Sequence, residues 1–307
     1  VRDLLDTRTF RYIDKNWKEI PQIIYKNWVH LELSKDGFTI VGSEKINLDG
    51  DCEAFIFDFI GDLWVERPKF EERVFRESVL GSGGHEFAIS SDGKTIAILN
   101  HTKWSDAKTF LTILKFIDNV WIKEFEIEIS DCKEPRGQFD SSANTFLIVG
   151  SNSKYNLFTK IFMKKNNKWE ENSDLIEFEY WGDIKLSNDG NELYCIFNLN
   201  TPDSSTIQVN IEKYDINPDE ITKSFQQKLP WWYSYSSDFS GNGNCFVTGY
   251  DPISDFNKVR IFKLKDDTFF ELSTNFVSNV SSQYYGYDVQ LSDDCKTVAF
   301  GLSPKSL

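Results

Sequence analysis

Residues 87 to 99, FAISSDGKTIAIL, read as an apolar strand, a tight Ser-Asp-Gly turn and a second apolar strand, and the arrangement recurs along the chain. LELSKDGFTIVG, IKLSNDGNELYCIF, SDFSGNGNCFVTG and VQLSDDCKTVAFG repeat it closely, and QFDSSANTFLIVG repeats it more loosely. With the residue that closes each turn as a marker, Gly37, Gly93, Asn144, Gly190, Gly243 and Cys295 fall in steps of 56, 51, 46, 53 and 52 residues. A second marker follows later in each unit, where a polar turn leads into an aromatic residue: Trp17, Trp64, Trp121, Trp169 and Phe270, with Ile221 in the remaining unit. Two markers in phase at a period of about fifty residues signify a solenoid or a propeller.

Within a unit the order is strand, tight turn, strand, variable loop, strand, short turn, strand, as in GHEFAIS, SDG, KTIAILN, HTKWSDAK, TFLTILKFI, DN and VWIKEFEIEI. Short segments rich in Ile, Val, Phe and Tyr, separated by Asp-Gly or Asn-containing turns, are hairpin signals, and no segment has the caps and periodicity of an amphipathic helix. Such a meander cannot bury both apolar faces alone. It must stack on copies of itself, and radial stacking gives a β-propeller, with the aromatic that opens each fourth strand filling the wedge between blades. The chain opens on TFRYIDKNWKEI, a third and fourth strand, and closes on a first and second strand ending in TVAFGLSP. The expectation is an all-β, six-bladed β-propeller of four-stranded antiparallel blades, one domain over residues 1–307. Its ring is closed by a blade shared between the N- and C-terminal strands, which removes exposed sheet edges.

The 307 residues include 26 Phe, 12 Tyr and 9 Trp, enough apolar surface for a large core. A net charge of −14 argues against nucleic acid or anionic lipid as partner and favours basic ones. No apolar run is long enough for a membrane-spanning helix, and no charged-then-apolar leader is visible. A chain that starts at Val1 with its one methionine internal is read as a processed product or a fragment. Cys52, Cys132, Cys195, Cys245 and Cys295 are odd in number and lack a CxxC, so buried free thiols are expected rather than a disulfide scaffold. Asn100-His101-Thr102 and Asn279-Val280-Ser281 are glycosylation acceptor sequences, relevant only in a secretory compartment.

The unit, seen best in FSGNGNCFVTGYDPISDFNKVRIFKLKDDTFFEL, resembles the FG-GAP-like repeats of integrin-α-type propellers. Its turn is also similar to the S-x-D-G-K-x-I-A hairpin of TolB-like six-bladed propellers. The integrin-type resemblance implies an extracellular or surface location and calcium loops of the D-x-D-x-D-G type. Asn47, Asp49 and Asp51, within Asn47-Leu48-Asp49-Gly50-Asp51, are the nearest approach and offer oxygen ligands at alternate positions; a plain Asp-Gly turn explains them equally well. Asp and Gly are adjacent in the repeated turns, whereas sialidase-type Asp boxes separate them.

The connections between a fourth strand and the next first strand are aromatic: Tyr25 and Trp28, Tyr180 and Trp181, Trp231, Trp232, Tyr233 and Tyr235, and Tyr284, Tyr285 and Tyr287. Tyr25, Trp28, Trp181, Trp231, Trp232, Tyr233, Tyr284 and Tyr285 are the candidate partner-binding residues, since flat amphipathic rings anchor interfaces, although many such rings pack between blades instead. Polar residues alternate on the first strands: His30, Glu32, Glu86, Asp183, Asp238 and Asp288 are expected to line a central channel, as a cation site or as inter-strand hydrogen-bonding groups. Three histidines without HxH or HExxH give no zinc site, no G-x-S-x-G elbow is present, and Gly81-Ser82-Gly83-Gly84 precedes a strand rather than a helix. The expected function is a non-catalytic binding or scaffold module for a protein or glycan. It would be a monomeric propeller, alone or within a larger assembly, requiring no cofactor. The alternative is a calcium-dependent six-bladed hydrolase of the lactonase or esterase type.

Overall fold

A computed structural model describes residues 9–13, 16–20, 28–45, 52–68, 86–101, 108–154, 156–172, 176–178, 182–200, 207–229, 234–250, 258–277 and 284–304. They form two compact units, Val1–Glu171 and Asn172–Leu307. Among the described residues every regular element is a strand. In the first unit β1 (Thr9–Ile13) and β2 (Asn16–Ile20) pair as a two-stranded antiparallel sheet. Three four-stranded meanders follow. They are β3 (Trp28–Leu33), β4 (Thr39–Lys45), β5 (Cys52–Ile60) and β6 (Leu63–Glu66); β7 (Glu86–Ile89), β8 (Thr95–His101), β9 (Lys108–Ile117) and β10 (Val120–Ser130); and β11 (Lys133–Phe139), β12 (Thr145–Ser151), β13 (Leu157–Lys165) and β14 (Lys168–Glu171).

The second unit contains the short β15 (Ile176–Phe178) and two meanders: β16 (Gly182–Leu186), β17 (Glu192–Asn200), β18 (Ile207–Ile216) and β19 (Ile221–Leu229), then β20 (Ser234–Phe239), β21 (Cys245–Tyr250), β22 (Lys258–Lys265) and β23 (Thr268–Val277). It ends in a two-stranded sheet of β24 (Tyr284–Leu291) and β25 (Val298–Pro304). All sheet pairs within these meanders are antiparallel between consecutive strands, the pattern that short turns permit.

The Ser-x-Asp-Gly signature builds the first turn of each meander. In the earliest, Ser34 Oγ donates to Asp36 Oδ1 at 2.6 Å and accepts the Thr39 amide at 2.9 Å, while Asp36 Oδ1 also accepts the Phe38 amide. Gly37 closes the turn at φ 74° and donates to the Ser34 carbonyl. The same set recurs at Ser90 and Asp92, Ser187 and Asp189, Ser240 and Asn242, and Ser292 and Asp294. At Asp189 the Ser187 hydroxyl leads the interactions that hold its carboxyl below the ordinary range. In the third meander the roles are exchanged: Asp140 accepts from Ser142, Asn144 and Thr145, and the left-handed residue is Ala143, one position before the expected Asn144.

Whereas β18 and β19 are joined through the longer Asn217–Glu220 turn, four of the described outer hairpins turn on two residues, both with positive φ: Gly61-Asp62, Asp118-Asn119, Asn166-Asn167 and Asp266-Asp267. That is the type I′ geometry whose twist matches paired strands, and Asn, Asp and Gly tolerate it best. It sets the register of the wedge aromatic. Leu264 lies opposite Phe269, as Lys164 lies opposite Trp169, so Phe269 is the buried ring at 4% exposure and the expected Phe270 faces outward at 53%.

The core lies between stacked sheets. In β8 Ile96, Ala97, Ile98 and Leu99 are all fully buried, because alternate residues enter two different clusters. Ile96 and Ile98 join Val41, Ile56 and Phe87, while Ala97 and Leu99 join Phe139, Phe146 and Phe162. A strand covered on both faces reads as a continuous apolar run. In the second unit Tyr194 and Ile196 meet Phe239, Phe246 and Phe269, and Val247 and Val259 meet Val289 and Leu291.

Cysteine usage departs from expectation. Cys132 and Cys195 are buried free thiols, but Cys245 and Cys295 form a disulfide with Cα atoms 6.0 Å apart. Cys245 opens β21 and Cys295 lies in the turn between β24 and β25, so a separation of about one repeat length in sequence becomes contact in space. The Cys52 side chain lies outside the described set, and so does Asn279. Asn100, in the other glycosylation acceptor sequence, is an interior β8 residue at 5% exposure.

Candidate functional site

The first strand of each meander is a sheet edge, and its outward N–H groups need acceptors that the sheet itself does not supply. In the second unit the preceding sheet supplies them. Asp183 of β16 accepts the Ser237 amide at 2.7 Å and the Ser237 hydroxyl at 2.6 Å through Oδ2. Ser236 of β20 accepts the Val289 amide at 3.3 Å, and Asp238 accepts the Leu291 amide at 2.8 Å. Lys185 pairs with the other Asp238 oxygen at 2.5 Å. Each partner lies 53 or 54 residues further along, one repeat on. These side chains form a polar ladder down β16, β20 and β24.

Asp183 and Asp238 are therefore engaged with the next sheet. Glu86 on β7 is partly buried, and Glu32 on β3 is exposed. His30 and Asp288 lie on β3 and β24, with side chains outside the described set. Lys185, Ser236 and Ser237 complete the ladder. Their signal in the sequence is an offset of one repeat, visible only once the turns are aligned.

A second feature marks the entry to the first strands. β3 bulges between Trp28 and His30, β20 between Ser234 and Ser236, and β24 between Tyr285 and Tyr287. A bulge adds one residue to one strand, bends it and re-aims side chains, and bulges gather at functional rims. Trp28, Tyr284 and Tyr285 stand at these entries. Tyr25, Trp181, Trp231, Trp232 and Tyr233 lie outside the described residues, as do Asn47, Asp49 and Asp51. Among the described residues no three His, Cys, Asp or Glu side chains cluster as a metal site would require.

At the opposite ends of these strands, the first turns are tied to one another. The Asp36 amide donates to the Ser91 carbonyl and the Asn188 amide to the Gly241 carbonyl. Asp293 accepts the Asn188 carboxamide and the Gly241 amide, so three successive sheets are joined. Arg67, which follows β6, ties two neighbouring sheets in the first unit. Its guanidinium bonds Asp58 at 2.6 Å, donates to the Gly93 carbonyl at 2.5 Å, and lies 4.6 Å from the centroid of the Phe116 ring.

Four-stranded antiparallel meanders, stacked face to face and joined through their first strands and first turns, define the β-propeller class. Solved structures agree. The β-propeller domain of the Trilobed protease from Pyrococcus furiosus, described as having an open velcro topology, superposes with a TM-score of 0.56 at 12% identity over 90% of this chain and 77% of its own. A hypothetical selenium-binding protein from Sulfolobus tokodaii gives 0.58 at 12% over 88% and 73%, and a TolB-type protein from Agrobacterium tumefaciens gives 0.50 at 10% over 94% of both chains. These likenesses show a common fold. No family model matches the sequence. No curated protein matches it either.

Proposed function

We propose that the chain is a non-catalytic binding or scaffold propeller presenting an aromatic, acidic face to a protein or glycan partner. The observation that carries this reading is the commitment of the first-strand carboxylates: Asp183 holds Ser237, and Asp238 holds Lys185 and the Leu291 amide. Carboxylates spent on neighbouring sheets serve as ties between blades, whereas a channel hydrolase needs them turned toward a cation. The bulged entries at Trp28 and Tyr285 support aromatic platforms there, together with Tyr25, Trp181, Trp231, Trp232, Tyr233 and Tyr284.

The finer architecture belongs to the same proposal. Residues 1–307 form one domain of six blades, with β24 and β25 as inner strands and β1 and β2 as outer strands of a shared blade. Leu33 supports this, because it is 55% exposed while its counterparts Phe139, Phe239 and Leu291 are buried, which leaves apolar surface for one more neighbour. Of the two resemblances, the TolB-like hairpin is the nearer relation we propose; the integrin-type one would add a surface location. The net charge of −14 argues against nucleic acid as partner.

A calcium titration followed by calorimetry and thermal melting of the chelator-treated chain separates this reading from the calcium-dependent lactonase or esterase. The binding propeller predicts no saturable site and no shift in melting temperature, with retention on a glycan or protein surface that Trp231→Ala and Tyr285→Ala weaken. Micromolar calcium at one site with a large rise in melting temperature overturns it, and assigns Asn47, Asp49 and Asp51 or the channel carboxylates as ligands.

A further inference from the structure

Among the described residues the last sheet pairs two strands, β24 and β25, and is tied covalently to the sheet before it. That tie stands where a first turn meets the sheet before it. The left-handed position of the turn comes up against the strand that follows the preceding sheet's first turn. In the first unit this brings Thr39 against Gly93, so closely that a Cβ on Gly93 would lie 2.1 Å from Thr39 Oγ1. In the second unit the corresponding residues are Cys245 and Cys295.

Cys295 adopts φ 60°, a conformation filled by glycine at Gly37, Gly93, Gly190 and Gly243 and by Ala143 in the other turn. A residue with a β-carbon is strained in that position unless something holds it. Here the neighbouring sulfur does, and the Cα separation of 6.0 Å lies within the range a bridge requires.

We propose that Cys245 and Cys295 are an oxidative modification site: a latch, closed after the sheets have stacked, that fastens β24 and β25 to the β20–β23 sheet and suits the chain to an oxidising compartment. Cys245 is fully buried and Cys295 only partly so, which sets the order of events. The Cys295 thiolate attacks a small-molecule or protein disulfide, forming a mixed disulfide and releasing one thiolate. The Cys245 thiolate then attacks the Cys295 sulfur and expels the second. The two cysteine thiols lose two electrons and two protons, and the disulfide reagent becomes two thiols. Cys132 and Cys195 take no part: both are fully buried, and burial pushes the Cys132 thiol up to about 11 and the Cys195 thiol well above its ordinary value. Bridged cysteines are at home in secreted, periplasmic or surface proteins and rare where glutathione keeps thiols reduced.

The test uses the full chain, refolded with oxidised glutathione as the probe and digested with trypsin without reduction. Trypsin releases Cys245 on the fragment 229–258 and Cys295 on the fragment 266–296, given Lys228, Lys258, Lys265 and Lys296. The latch predicts these two fragments joined in one mass that reductant splits, and three titratable thiols of five in the denatured, unreduced chain. It also predicts a melting temperature that falls by several degrees on reduction, and a Cys295→Ala variant that melts like the reduced chain and ignores reductant. Five free thiols, or a bridge from Cys245 or Cys295 to Cys52, overturns the assignment. A bridge whose reduction leaves melting unchanged overturns its role as a latch. If the variant fails to fold, the reduced wild-type chain carries the same comparison.

Discussion

Gly93 is constrained twice, by φ 67° and by Thr39 packed against the space a side chain would fill. Gly93→Ala is expected to cost about 3 kcal/mol, combining left-handed strain with overpacking, read as a lower urea midpoint. An unchanged midpoint would mean the contact yields freely. Arg67 concentrates an ion pair, a carbonyl contact and a ring contact in a nearly buried guanidinium. Arg67→Met is expected to cost about 3 kcal/mol, because Asp58 and the Gly93 carbonyl lose their donor while the stem packing survives. Glu212, at 7% exposure, gives a pH signature. Burial pushes its carboxyl up, but bonds from Lys223, Tyr214 and Asn210 outweigh this and hold it below the ordinary value. A folded value depressed below the unfolded one, about 4.3, contributes stability that is complete above that pH and lost as pH falls through the folded value. Glu212→Gln should therefore destabilise by about 2 kcal/mol at neutral pH, and the gap between variant and wild type should close below about pH 4 in parallel denaturation curves. A gap constant across that range would show that the charge is irrelevant.

At the scale of elements, the turns act as register devices. A two-residue type I′ turn at Asp266-Asp267 puts the second residue of β23 opposite Leu264, and that is Phe269. The pattern Asp-Asp-Thr-Phe-Phe does not say which ring is inside until the turn length is known, because a slip of one residue sends every side chain to the other face. The ladder on β16, β20 and β24 makes a separate prediction. Asp183→Ala leaves the Ser237 amide without its acceptor and is expected to cost about 2 kcal/mol, whereas Asp183→Asn keeps an acceptor and should cost less than half as much in the same thermal melts. Equal losses would mean that the charge of Asp183 matters more than the bond. The Cys245–Cys295 bridge closes a loop 50 residues apart in sequence, which on chain entropy contributes about 4 kcal/mol to the sheets it joins.

For the whole molecule, a shared blade makes the two termini interdependent. Deleting residues 1–20 is expected to lower the melting temperature and remove hydrogen-exchange protection from the Phe300 and Leu302 amides of β25, which face away from β24; unaltered protection there would exclude β1 and β2 as its outer neighbours. The repeat, the strand order and the turn chemistry were legible in the sequence, because each rests on hydrogen bonds among residues no more than five apart, as between Ser34 and Thr39. The polar alternation of Asp183 and Asp238 was legible too, though not what they hold. Their partners, the Gly93 and Phe116 contacts of Arg67, and the choice of Cys245 and Cys295 out of five cysteines were decided only by the tertiary structure. The physical reason is common to them. Each depends on how one sheet lies on the next, and stacking brings together residues far apart in sequence whose individual identities carry no local mark of the pairing.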